Sequence, residues 1–484
     1  MFSAVTCILS GKLYSMRKIS LSVLLVGLAT ILFSQEKRLI LQSVNIIDVE
    51  KGGVQRNQAV IIQGDRITDI LPAARYQQQA NDSIVNCNDQ YLIPGLWDMH
   101  THVWMAEYYF PLFTANGITG HRGMLETMML VNQWRKQAST PGTLVPTGFY
   151  AGSILDGPKP LWPNSIAVDS PEKGRRAVDS LKNKLKVDFL KVYSGLSRES
   201  YYAIADEAKK QGIIFAGHVP TSMTLLECIR AGQKTTEHMM GFIEAASDSS
   251  EYYYNVMRGN ITDTSLRNNR TYRRAFLHRT FNEKNIQAVV NELRKNDSWV
   301  CPTMTVLRGI AYIKDTAFRN DPRLQYTIPM IRNMWNPAND TRFKNLPDDY
   351  FENEKKEFEL NKRIVGLLHK GGVKLLAGTD TPNPFCFPGF SLHDELQNFV
   401  DCGLTPLEAL QTATLNPALF FNIQNDYGSI AKNKIASLVL LKENPLENIA
   451  NTKTIHAVVL RGRFVGDAEL SELLARVRKM SGLN

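Results

Sequence analysis

Between residues 94 and 424, apolar runs with strand texture alternate with stretches of helical periodicity, and this alternation constrains the fold more than any other feature. Eight such runs lie at 96–102, 117–122, 144–150, 188–193, 213–219, 235–239, 298–307 and 373–380. The stretches between them carry a 3.6-residue repeat, as where Tyr202, Ile204, Ala205 and Ala208 share one face. Strands alternating with helices pair in parallel, and eight units imply an α/β fold of the (β/α)8 TIM-barrel type. The spacing is uneven. His238 and Asp380 stand much further apart than two units require, and the polar, Tyr- and Arg-rich stretch at about 245–295 reads as an inserted helical excursion.

Strand-rich segments flank the alternating region. β-branched runs punctuated by Gly and Asp occupy 38–72, and the same texture returns at 436–441 and 456–463. The two ends together predict a small β-sandwich domain, with residues 35–93 as its first part and 425–484, including a C-terminal helix, as its second. A composition of 44% hydrophobic and 21% charged residues can fill a large core. Neither a disulfide nor a structural metal is needed merely to fold such a chain, so a metal site in it calls for a catalytic reason.

The N-terminal segment has a different character. Arg17 and Lys18 precede an apolar run from Leu21 to Phe33 that ends in Ser34-Gln35-Glu36, the pattern of a secretory signal peptide over 1–34. The run is too short to cross a bilayer, which takes ~20 residues. An exported protein, periplasmic or extracellular, without stable membrane insertion is expected. The formal net charge of +9 includes Lys12, Arg17 and Lys18 of that segment, and the other cations are scattered among acids. No basic stripe for nucleic acid results. None of the six cysteines has C-x-x-C spacing, and buried free thiols are the expected state.

The chemistry-bearing residues fall at the predicted strand ends. In Pro94-Gly95-Leu96-Trp97-Asp98-Met99-His100-Thr101-His102, the two histidines are two apart and so point to one side of a strand. They follow a Pro-Gly turn and sit at the C-terminal end of the first barrel strand, where active sites of this architecture lie. Lys191 is a cation inside an apolar strand, costly unless it is paired with an acid or modified. Carbamylation by CO₂ would turn it into an anionic bridge between metals. His218 follows Ile213-Ile214-Phe215-Ala216-Gly217, His238 follows Thr235-Thr236-Glu237, and Asp380 closes Leu375-Leu376-Ala377-Gly378-Thr379. Taken singly, each is as well read as a structural histidine or a helix cap. Six candidates at five strand ends form a ligand set, and imidazoles with a carboxylate suit Zn²⁺, with Mn²⁺, Co²⁺ or Fe²⁺ as alternatives.

This arrangement resembles the amidohydrolase superfamily, in particular its binuclear prolidase-like and imidazolonepropionase-like members, over roughly residues 38–466. The resemblance extends to Gly389-Phe390-Ser391-Leu392-His393-Asp394-Glu395-Leu396, to Gly403-Leu404-Thr405-Pro406-Leu407-Glu408-Ala409-Leu410, and to the tail Ala436-Ser437-Leu438-Val439-Leu440-Leu441 with Asn444-Pro445-Leu446. It implies two divalent metals, Zn²⁺ first, with His100, His102 and Asp380 on one and His218 and His238 on the other. Carbamylated Lys191 and a hydroxide would bridge them. It further implies hydrolysis of C–N bonds in dipeptides or N-acyl amino acids, with Asp380 moving the proton and Tyr193 donating to the oxyanion. His393 is expected to touch substrate. The family's acid after Thr-Val-Arg is absent from Thr119-Gly120-His121-Arg122-Gly123, which bears on substrate anchoring, and Ser437 replaces a usual Asp. A deaminase-like reading expects Glu three residues beyond His218, where Thr221 stands. Hydrolysis of lactones, carbamates or phosphoesters on the same metals is the other reading. A small-molecule or dipeptide-like substrate is the expected partner, and a homo-oligomer is left open.

Overall fold

The computed structural model describes residues 37–483. The expected signal segment over 1–34 therefore lies outside the described residues, among which no helix is long and apolar enough to cross a membrane. Five strands open the described chain: β1 (Arg38–Ile47), β2 (Val54–Gln63), β3 (Arg66–Pro72), β4 (Asp82–Asn86) and β5 (Tyr91–Pro94). Nine more follow: β6 (Leu96–Thr101), β7 (Ile118–Gly123), β8 (Thr147–Tyr150), β9 (Leu155–Asp156), β10 (Ile166–Ala167), β11 (Leu190–Val192), β12 (Phe215–Gly217), β13 (Thr235–Glu237) and β14 (Trp299–Cys301). The last three are β15 (Leu438–Leu441), β16 (Ile455–Leu460) and β17 (Arg463–Gly466).

Both ends of the chain build one sheet, in the order β17-β16-β15-β5-β1-β2-β3 with β4 on β1. The seam is antiparallel, pairing Leu438 with Pro94 and Leu440 with Leu92. Where a two-sheet sandwich is expected, the structure has a single sheet that bends back on itself. Register slips between Leu41 and Val44, where Ser43 takes a positive φ of 62°, bend β1 in the manner of a bulge. Beyond β3, Ile67 and Ala436 donate their amides to Lys434 and Asp65, closing the far edge. Leu41, Val60, Ile62, Leu92, Leu438, Leu440 and Val459 fill the space between, each 2% exposed or less. The C-terminal helix Asp467–Ser481 packs Leu470 and Leu473 on Val458 and Val465.

The remaining strands form a mixed α/β fold of two parallel groups, β6-β7-β8 and β10-β9-β11-β12-β13-β14. Backbone hydrogen bonds link the groups, directly on one side, where Asp188 N donates to Tyr150 O, and through segment 373–380 on the other, where Met99 N donates to Ala377 O and Leu376 N to Val300 O. Seven of the eight expected strands are present as strands. The eighth, 373–380, is reduced to isolated bridges such as Val300–Leu375 and Thr101–Thr381. It runs so close to β6 that a Cβ on Gly378 would lie 2.6 Å from Cys301 Sγ and 2.9 Å from His100 Cβ. β14 is also shorter than expected, because Met304–Ala311 is helical. Local signals set the helices. Arg198–Gln211 begins at Ser197, whose side chain accepts from Ser200 N, and stops at Gly212 with φ of 65°. Leu225–Arg230 opens with a capping box of Thr224 and Glu227. Helices Phe242–Ala246, Ser250–Arg258, Thr264–Asn268, Arg270–Arg279 and Ile286–Lys295 occupy the expected excursion. The five described cysteines are free thiols.

Candidate metal centre

The C-terminal ends of β6, β11, β12 and β13 and the end of segment 373–380 converge on one buried cluster. His100 and Lys191 are 0% and 1% exposed, and His218 and Asp380 are each 7% exposed. Asp380 Oδ1 lies 3.3 Å from His100 Nε2 and 3.0 Å from His102 Nε2, and its Oδ2 is 3.7 Å from His238 Nδ1. Lys191 Nζ sits 3.2 Å from His100 Nε2. Ring centroids of His100 and His238 are 4.6 Å apart, and those of His218 and His238 4.9 Å. All six sequence-derived candidates are therefore neighbours.

The far nitrogens of three imidazoles are held. His100 Nδ1 donates to Glu237 Oε2 at 2.8 Å, His218 Nδ1 is 2.9 Å from Ser194 Oγ, and His238 Nδ1 is 2.8 Å from Thr303 Oγ1. Each ring then keeps Nε2 as the atom free for a ligand, the arrangement that outer partners impose at metal sites. Burial drives the imidazoles toward the neutral form a metal requires: His100 and His218 fall well below the usual range and His238 to about 4. Burial also lowers the Lys191 ammonium to about 8, against the pull of Glu237 and Asp380. Burial resists ionisation of Asp380, yet His238, His102 and Lys191 together hold it below the ordinary carboxylate value.

A divalent cation fits this donor set. Asp380 Oδ1 is buried with no hydrogen-bond donor although imidazole nitrogens crowd it, and donor atoms of His100, His238 and Asp380 all lie within 4.8 Å of one another. A second cluster of His100, Glu237 and Cys301 meets the same distance limit. It is the poorer site, because Glu237 is already neutralised by Arg122 and burial raises the Cys301 thiol well above its usual range. Backbone strain marks the same place. His238, Thr303 and Asp380 have φ of 59°, 48° and 58°, a left-handed conformation costing about 1–3 kcal/mol each for residues other than glycine.

Several supporting residues were not anticipated from sequence. Arg122 is fully buried and lies 5.7 Å from Phe189 and 5.5 Å from Phe420. Its Nη2 donates to both Glu237 oxygens at 2.9 and 2.8 Å, its Nη1 to Thr235 Oγ1 and its Nε to Met99 O. Arg122, Glu237 and His100 thus form one charged chain. Asp98 accepts from Thr379 N, Thr379 Oγ1 and His100 N, tying β6 to segment 373–380. The sequence signal was Arg122 itself, in the motif whose missing acid drew attention instead.

Tyr193 stands at the cluster's edge, stacked on His218 at 3.9 Å, and its hydroxyl accepts from Trp162 Nε1 at 2.6 Å. Burial raises its pKa to about 12, leaving the hydroxyl protonated and able to donate. His393 requires a correction. It lies inside helix Phe390–Asp401 rather than in a loop, 2% exposed. Its Nδ1 is 2.9 Å from Thr452 Oγ1 and its Nε2 3.2 Å from Asn116 O, so both ring nitrogens are committed to packing. Thr221 is likewise engaged with the Ser194 carbonyl.

Residues 340–465 match the model of the Amidohydrolase family. Among curated relatives, an adenine deaminase from Ruegeria sp. is 32% identical over 73 residues, which is 15% of this chain and only 11% of that protein. Ochratoxinase from Aspergillus niger is 24% identical over 421 residues, covering 74% of this chain and 71% of that one. Among solved structures, a putative prolidase from Bifidobacterium longum superposes with a TM-score of 0.66 at 21% identity, over 91% of this chain and 99% of that chain. This last likeness concerns the fold. The match to the Amidohydrolase family thus takes in the segment that carries Asp380, and the likeness to the prolidase extends a common fold over most of the chain.

Proposed function

We propose that this protein is a metal-dependent hydrolase of amide bonds in small substrates, dipeptides or N-acyl amino acids. The observation that carries the reading is the convergence of His100, His102, Lys191, His218, His238 and Asp380 on one buried point, with three of the imidazoles held from behind. The parallel strands and the bridges of segment 373–380 support a closed (β/α)8 barrel as the frame, beside a β domain made from both chain ends. Two divalent cations, Zn²⁺ first, held by these residues with a carbamylated Lys191, would supply a water acidic enough to attack at neutral pH and polarise the scissile carbonyl.

The chain's own residues account for the rest. Asp380, with one oxygen lacking a donor, takes the proton from the attacking water and passes it to the leaving nitrogen. Tyr193 donates to the oxygen that gains charge, its ring fixed by His218 and its hydroxyl by Trp162. Glu237 keeps the His100 ring oriented. That prolidases and ochratoxinase are among the similar proteins supports C–N cleavage over the other electrophiles. The test is hydrolysis of a library of dipeptides and N-acyl amino acids by metal-loaded protein prepared with bicarbonate. Cleavage of a coherent subset, lost on chelation and in Asp380→Asn, is expected. Silence across the library with metal bound, and turnover of lactones, carbamates or phosphoesters instead, would sink the amide reading.

A further inference from the structure

We infer that Arg342 forms a subsite for the substrate's free carboxylate, so that this hydrolase selects acids over their neutral amides. The inference rests on the reading above, that the cluster cleaves amides, and deepens it. Arg342 belongs to the long segment between β14 and Asp380, far in sequence from every candidate ligand except Asp380. Two independent routes of contact link its guanidinium to the cluster. In one, Nη1 donates to Asn383 Oδ1 at 2.8 Å, and Asn383 Nδ2 donates to the Asp380 carbonyl at 3.0 Å. In the other, the guanidinium carbon lies 5.7 Å from the Trp162 ring, Trp162 donates to Tyr193, and Tyr193 stacks on His218. Arg342 is thus one side chain from Asp380 and two from His218.

The group is held ready for an anion. Asp340 takes its Nε and Nη2 at 2.7–3.1 Å, and the same carboxylate accepts from Arg342 N, fixing the turn. Asp340 is on the Nε edge, so the Nη edge keeps N–H groups that Asn383 alone does not use, since a guanidinium has five. The side chain is 30% exposed, open enough to meet a ligand. A planar donor edge anchored on an acid and set against an aromatic ring is suited to recognise a carboxylate by two parallel hydrogen bonds. Among substrates that place an amide at the cluster and an anion at its rim, a dipeptide or N-acyl amino acid has both groups on one small molecule.

The competing account makes Arg342 only a strap between residue 340 and the loop after Asp380. The two accounts separate in a panel of N-acetyl amino acids and their carboxamides. Wild-type protein should favour the acid by about 10- to 100-fold in kcat/KM, the range for one charge-assisted hydrogen bond. Arg342→Gln should lose that preference through a raised KM for acids, with a clearly smaller loss on the carboxamides. Asp340→Asn combined with Arg342→Gln leaves no buried charge unpaired and should behave alike. Arg342→Lys, which keeps the charge without the fork, should retain part of the preference. Equal turnover of acids and carboxamides by wild type, or equal losses on both in the variants, would overturn the subsite. If neither series is cleaved, amide hydrolysis itself fails. Calorimetric binding of the N-acetyl amino acids to wild type and Arg342→Gln then decides the subsite alone: weaker binding in the variant supports it, and equal or undetectable binding in both rejects it.

Discussion

Replacing Arg122 by Met should separate the stability of this protein from its metal affinity. Arg122 and Glu237 are both fully buried and meet through two hydrogen bonds, at 2.8 and 2.9 Å. Arg122→Met leaves the Glu237 carboxylate in the interior with only Thr235 and His100 as donors. Breaking a buried pair from one side costs about 3–5 kcal/mol, because the surviving charge stays desolvated. Removing both charges, in Arg122→Met combined with Glu237→Leu, should restore most of that loss, since apolar replacements of similar volume are often neutral. Metal affinity should not recover with it. Without Glu237, His100 Nδ1 has no acceptor, and loss of such an outer partner weakens binding about 10- to 100-fold. Denaturant midpoints of the metal-free proteins measure the first quantity, and competition with a chelator the second. A single variant within 1 kcal/mol of wild type, or a double variant with full metal affinity, would refute the argument that this chain of charges orients His100.

Three further predictions follow from other contacts. Gly378→Ala forces segment 373–380 away from Cys301 and His100, costing about 1–3 kcal/mol in melting experiments and displacing Asp380, so activity should fall with it. His393→Ala removes the partners of Asn116 O and Thr452, and should lower stability by about 1–3 kcal/mol while leaving KM and kcat intact; a large kinetic defect would return His393 to the substrate. His121, fully buried, has its pKa lowered to about 3 by burial, against 6.5 in an unfolded chain. Below pH 6.5 the unfolded chain takes up a proton that the folded one refuses, so stability present above 6.5 is lost as pH falls toward 3, at up to about 1.4 kcal/mol per unit. The His121→Asn variant should show a shallower fall in denaturant midpoint over that window.

The alternation of apolar runs and helical repeats revealed seven parallel strands, and the strand-end rule located all six neighbours of the central cluster. This worked because a two-residue period and a strand terminus are local properties, visible in His100-Thr101-His102 alone. What stayed hidden was long-range. Glu237 stood beside His238 in plain view, but its role depends on Arg122, more than a hundred positions earlier in the chain. The loop placement of His393 as a substrate contact gave way because the helix Phe390–Asp401 begins before it and turns its ring toward Thr452. The eighth run has strand composition, yet the close approach at Gly378 and the positive φ at Asp380 leave it only bridges. Trp162 and Arg342 meet across two excursions whose packing no local pattern encodes.

The pairing of β5 with β15 has a consequence for biosynthesis. Leu92 and Pro94 find their partners Leu440 and Leu438 only after nearly the whole intervening chain has been made. Until then the β5 side of the early sheet is an open edge of backbone donors and acceptors beside the apolar residues of β1 and β2, the kind of surface on which nascent chains aggregate. The last strands therefore act as a molecular latch: a ribosome that stalls before residue 438 releases a chain whose parallel strands are all present but whose first sheet cannot close.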